Sequence, residues 1–198
     1  MLKDSEDIRS QLSPTLQKLL DDVLAKSDGS RQLEFGDSQE HQRFYVNSFP
    51  EGAIACLIPT SKSFIICIKQ LDSISDEEEK EIAHELCHLW LTFHGFPRER
   101  VSDDPQQNEA YKQYVGPLHA IMEHAIFYPW LKNNYGIDLY RVGNQRLVDF
   151  LKNKFPNRKN ESQRDQVSLF LNYIKFKVES DSSYWQERLS RAYSKNKF

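Results

Sequence analysis

The chain has 198 residues, enough for one substantial core with terminal decorations. Charged residues make up 28% and apolar ones 39%, with twelve Phe, nine Tyr and three Trp, a balance that excludes a disordered chain. A formal charge of −3 supplies no basic field to neutralise a phosphate backbone, so nucleic-acid binding is not expected.

The opening MLKDSEDIRSQ has acids where a secretory signal would have its basic and apolar regions, so export by that route is not expected. No window approaches the roughly 18 uninterrupted apolar residues of a membrane span. Cys56, Cys67 and Cys87 are odd in number, lie among apolar residues and lack CxxC spacing. They read as buried thiols of a cytoplasmic protein rather than as a disulfide framework.

Between residues 7 and 27, Ile8, Leu12, Leu16, Leu19, Leu20, Val23 and Leu24 recur at helical spacing, with a break near Pro14 and a stop at Asp28-Gly29. Residues 28–42 are polar and turn-rich and read as a linker. Two apolar, β-branched runs follow, 53–58 and 64–68, on either side of a turn-forming stretch from Pro59 to Ser63. They predict an antiparallel hairpin, to which 43–47 offers a third strand.

Ser75 and Glu78 have the spacing of a capping box, and the acids around them suit the positive end of a helix dipole. A helix is therefore expected from Ser75 until Gly95 and Pro97 end it. Its apolar residues between 82 and 93 fall on nearly every face, which predicts burial within the fold. Further helices are expected at 109–114, at 117–134 with Pro129 as a kink, and at 144–154, 165–179 and 184–194, with a charge-rich break at 157–164. The expected fold is α+β: a small antiparallel sheet packed on a buried helix and a second, ligand-bearing helix, with helical additions at both ends. We read it as a single domain with an N-terminal helix and linker over 1–42, a catalytic core over 43–136 and a C-terminal helical extension over 137–198.

The chemistry is carried by His84-Glu85-Leu86-Cys87-His88. Histidines four apart on a helix project from one face about 5–6 Å apart, which lets two imidazoles bind one Zn²⁺. Glu85 then points near the metal, where it can take a proton from a water that the metal has acidified. With 6 His and 15 Glu in the chain, only about 0.01 HExxH matches are expected by chance. Two imidazoles and a carboxylate inside a helix are also costly to bury unless something pairs with them.

A catalytic zinc usually has three protein ligands, so the downstream chain must supply one more. His94 lies six residues after His88, the metzincin spacing, but position 91 is Leu where the sharp turn needs Gly, and helix-end capping is its plainer role. Glu109, Glu123 and His124 also compete. Glu123 shares a flank with His119 beside the apolar cluster of Leu118, Ile121, Met122 and Ala125, and can face a buried neighbour. His124 projects to the other side, from where it could still reach a metal. Glu123 is the preferred third ligand. His119, one turn before Glu123, and Tyr128 are the candidates to stabilise a tetrahedral intermediate.

The capped HELCH helix, preceded by an apolar hairpin and followed by a helix with an acidic ligand candidate, resembles the minimal gluzincin-type HExxH zinc metallopeptidase core. It is most similar to the compact ImmA/IrrE-like or SprT-like peptidases. The resemblance covers about 44–136, and HExxH is its only specific motif. It implies one zinc held by His84, His88 and Glu123, with Glu85 as general base and an extended protein or peptide substrate along a sheet edge. A zinc-containing interaction module with little turnover, its coordination closed by a protein ligand such as His119 or His124, is the alternative. A non-peptide zinc hydrolase is a further one. No membrane partner is expected, and the oligomeric state is open.

Overall fold

Leu16, Leu19, Leu20 and Val23 line one side of a helix and are almost wholly buried, so the spacing read from the sequence is the spacing that builds the core. The structure is a computed structural model of the full chain, and it describes residues 3–37, 55–68, 73–97, 114–140, 144–145, 147–148 and 163–195. These fall in two units, Met1–Pro97 and Arg98–Phe198. The boundary lies inside the span 43–136. Strands and helices are mixed, giving the expected α+β fold with helical additions.

The first unit runs β1 (Lys3–Asp4), α1 (Ser5–Arg9), α2 (Pro14–Leu24), β2 (Gln32–Gly36), β3 (Ala55–Pro59), β4 (Ser63–Ile68) and α3 (Asp76–Phe93). The expected break at Pro14 separates α1 from α2: Ser13 caps α2, its hydroxyl accepting from the Leu16 N–H, and Pro14 begins the first turn, where no N–H is needed. Arg9 grips Asp21 with both guanidinium arms, at 2.5 and 2.6 Å, which ties α1 to α2.

The sheet order is β1-β2-β4-β3. The hairpin β3–β4 is antiparallel as expected, in a register that sets Cys56 opposite Cys67 and Ile58 opposite Ile65. Every residue of β4 is buried, as its unbroken apolar run implies. The sheet as a whole is mixed rather than antiparallel, because β2 pairs parallel with β4, Leu33 opposite Phe64 and Phe35 opposite Ile66. That strand lies in the segment read as a linker. Leu33 and Phe35 alternate inward between polar neighbours, a period-2 pattern too short to stand out among the surrounding Ser, Asp and Gly. The third strand expected at 43–47 and the helix expected at 109–114 lie outside the described residues, apart from Tyr114.

Helix α3 packs on α2, β3 and β4. Its capping box is complete: Ser75 Oγ accepts from the Glu78 N–H at 3.3 Å, and Glu78 Oε2 accepts from the Ser75 N–H at 2.8 Å. Glu79, one residue on, accepts from the Ser13 N–H and so joins the start of α3 to the start of α2. Gly95, at φ 77°, closes the far end in the left-handed conformation that side chains resist. Ser75→Ala should lower the stability of the chain by about 1 kcal/mol, measured by urea denaturation; an unchanged midpoint would mean that the box contributes nothing.

The second unit contains α4 (Gly116–Tyr135), α5 (Gln163–Glu179) and α6 (Ser183–Lys195). Helix α4 packs on α5, and α5 on α6; Leu169 and Phe176 of α5 form a buried cluster with Leu147 and with Leu189 of α6. Pro129 sits inside α4, which continues past it to Gly136 at φ 69°. Lys132 lies between Asp138 and Asp181, at 2.8 and 3.0 Å, pinning the end of α4 to the turn before α6. Of the helix expected at 144–154, residues 144, 145, 147 and 148 are described and are helical. No helix among the described residues is long and apolar enough to cross a membrane.

Candidate metal centre

On α3, Glu81, His84, Glu85 and His88 are half-buried, while Ile82, Ala83, Leu86, Cys87 and Leu89 are buried. At about 100° per residue the four polar positions fall within roughly 100° of arc, with Leu86 on the far side. The helix is thus not apolar all round. It turns one polar stripe away from the sheet-facing core, and the HExxH residues make up most of that stripe.

The two imidazoles converge. His84 Nε2 and His88 Nε2 are 3.0 Å apart, and the ring centroids 4.8 Å. A tetrahedral zinc with Zn–N of about 2.0–2.1 Å separates two ligand nitrogens by about 3.3 Å, so the pair fits one ion after a shift of a few tenths of an ångström. The donor set is also right, since two neutral imidazoles are ordinary zinc ligands and Glu85 on the adjoining arc is a carboxylate acceptor. The His88 carbonyl accepts from Thr92 Oγ1 at 2.8 Å, which ties the motif to the next turn of the helix.

Cys87 lies outside this stripe and is fully buried. Burial pushes its thiol far above the usual range, and the charge of Glu85 pushes in the same direction, so it stays protonated and serves as a small apolar core residue.

His94 is the C-cap of α3. It is exposed, its Nδ1–H donates to the Trp90 carbonyl at 2.8 Å, and its ring lies over the indole with centroids 4.2 Å apart. Capping accounts for it, and its angular position on the helix is away from the His84 and His88 side. Glu109 lies outside the described residues.

In the second unit Glu123 is buried on α4 and pairs with His119, Nδ1 to Oε2 at 3.6 Å. His124 is buried beside it. Its Nδ1 meets Glu179 Oε1 at 2.5 Å, and its ring is stacked on Tyr128 at 5.0 Å and met edge-on by Phe127 at 5.2 Å. Glu179 is fully buried, with Lys175 Nζ 3.8 Å from Oε1. Sequence reasoning missed Glu179. One local signal was present: it is the last residue of α5, and an acid in a final turn opposes the helix dipole unless tertiary structure compensates. Tyr128, considered for stabilising an intermediate, is 3% exposed and packed between His124 and Tyr140.

Comparison with protein-family models, with curated proteins and with solved structures finds no match to the chain.

Proposed function

We propose that the chain is a zinc-dependent peptidase in which His84 and His88 hold the metal and Glu85 is the general base. The observation that carries this reading is the 3.0 Å approach of the two Nε2 atoms on the half-buried stripe that also bears Glu85. Zinc, when bound, supplies a Lewis acid that acidifies water and polarises a carbonyl. The chain's own part is to hold the two imidazoles rigidly on a capped helix and to keep a carboxylate one residue away. Glu85 accepts the proton of the attacking water and passes it to the departing amine.

A peptide substrate is favoured by the sheet beside the site. Among the described residues β3 ends the sheet on the side away from β2, and it packs against α3, so an extended peptide could add to the edge of the layer that carries the motif. The thiols of Cys56, Cys67 and Cys87 suit a reducing compartment, and we place the enzyme in the cytoplasm.

Elemental analysis beside a proteolysis assay on an unstructured protein tests the reading. Wild type should carry one zinc per chain and cleave the substrate, a chelator should stop cleavage, and His88→Ala should lose both metal and activity. Wild type without stoichiometric zinc sinks the metal assignment, and stoichiometric zinc without any hydrolysis would favour the interaction module.

A further inference from the structure

We propose that Cys56 and Cys67 form a reversible disulfide, a redox-sensitive clasp between β3 and β4 that closes on reaction with an oxidised low-molecular-weight disulfide such as glutathione disulfide. The inference concerns the first unit alone and is independent of the zinc reading.

The register of the hairpin places the pair. Cys56 is directly opposite Cys67, and the two pack together with Ile58 and Ile65 on one face of the sheet. In the same register the Thr60 N–H donates to the Ser63 carbonyl at 2.8 Å. Counting back in steps of two makes Cys56 and Cys67 a hydrogen-bonded pair, with Cα atoms about 5.5 Å apart. A disulfide spans Cα separations of about 4.4–6.8 Å, so the backbone is already in range.

The Cβ atoms of such a pair stand about 5.5 Å apart, against about 3.8 Å in a disulfide, so closure must draw the strands together locally. Strand β3 can give. Among the described residues it pairs with β4 alone, and Cys56 is the second residue of the strand. A bridge formed against that pull is more easily reduced, which suits a labile bridge rather than a structural one. Once formed, it ties the end of the hairpin remote from the turn and holds β3 to the sheet.

Burial assigns the order of attack. Cys56 is half-buried and Cys67 fully buried, so the reagent meets Cys56 first. The Cys56 thiolate attacks one sulfur of the external disulfide and displaces a thiolate. Cys67, deprotonated in turn, attacks the Cys56 sulfur and expels the second thiolate. Two protein thiols are oxidised, the external disulfide is reduced to two thiols, and the protons that the cysteines lose are taken up by the two thiolates released.

Cys87 is kept out of this exchange. Phe64 meets Phe93 of α3 edge-on at 5.7 Å, so α3 lies over the Phe64 face of β4, and strand alternation turns Cys67 to the other face. Cys87 belongs to α3, on the far side of the sheet from the pair, and burial holds its thiol protonated.

The full chain, reduced and then freed of reductant, is incubated under native conditions with glutathione disulfide, denatured in an alkylating reagent and mapped by peptide mass spectrometry. Of the three cysteines only Cys87 should be alkylated, with Cys56 joined to Cys67 of the same chain and no glutathione retained. Dithiothreitol should restore all three thiols. Amide hydrogen exchange in β3 should slow in the oxidised protein and recover on reduction. Cys67→Ser removes the resolving thiol and should leave glutathione on Cys56. Three alkylated cysteines in the oxidant-treated wild type, glutathione held stably on Cys56, or a bridge to Cys87 or between chains would each overturn the proposal. So would a bridge that leaves β3 exchange unchanged, because it would clasp nothing. The wild-type measurements decide the matter even if the substituted chain does not fold.

Discussion

Glu85→Gln should leave one zinc per chain and lower peptide hydrolysis by about 10²–10⁴-fold, the usual contribution of a positioned general base. That range corresponds to about 3–5 kcal/mol of transition-state stabilisation. The substitution is nearly isosteric, and Glu85 is half-buried rather than locked in the core, so the helix should tolerate it. Gln keeps a carbonyl oxygen that can orient water but cannot accept its proton at neutral pH. The loss should therefore fall on kcat, with little change in KM or in zinc affinity. A Glu85→Gln protein that cleaves at the wild-type rate would remove Glu85 from the chemistry even if the zinc site stands.

The contrast with His88→Ala gives this result its meaning. Loss of metal and loss of the base should both depress hydrolysis, but only the first should change zinc content. A protein that loses zinc in both variants would place Glu85 among the ligands, a different site from the one proposed.

What could be read from the sequence follows the range of the interactions. His84, Glu85 and His88 were legible because everything that juxtaposes them lies within five residues of one helix, and the helix announces its start through Ser75 and Glu78. The β3–β4 hairpin was legible for the same reason, since its strands and turn are contiguous. Strand β2 was not, because its partner β4 is reached only through a long connection and Leu33 and Phe35 are its whole apolar signal. The polar stripe on α3 was obscured by composition. Apolar residues dominate its 82–93 stretch, and the half-buried arc emerges only when burial is known position by position.

Glu179 is the extreme case. It meets His124 across 55 residues, at the end of a helix whose amphipathic pattern describes its packing and says nothing of a carboxylate directed inward. The sequence contained both residues and no local rule connecting them. The preference for Glu123 came from its flank on a helical projection, and the structure finds it buried on α4 and paired with His119 of that flank.

Leu86 lies between Glu85 and Cys87 in sequence, on the opposite side of α3 from the histidines, and is fully buried. Leu86→Ala should cost about 2–5 kcal/mol, combining the lost transfer free energy with the cavity left against the α2 and sheet core. Urea denaturation should show a lower midpoint with an unchanged slope. Under conditions where the variant remains folded, its zinc content and the kcat of the folded fraction should match wild type, because no atom of the stripe has been removed. Leu86→Met, close in volume and apolar, should recover most of the loss, staying within about 1.5 kcal/mol of wild type. Leu86 and Glu85 would then separate two functions of one turn of helix: one side chain anchors it to the core, and the next moves the proton. If Leu86→Ala instead loses zinc while its denaturation midpoint is unchanged, the far face of α3 takes part in the metal site and the two functions are not divided between the faces.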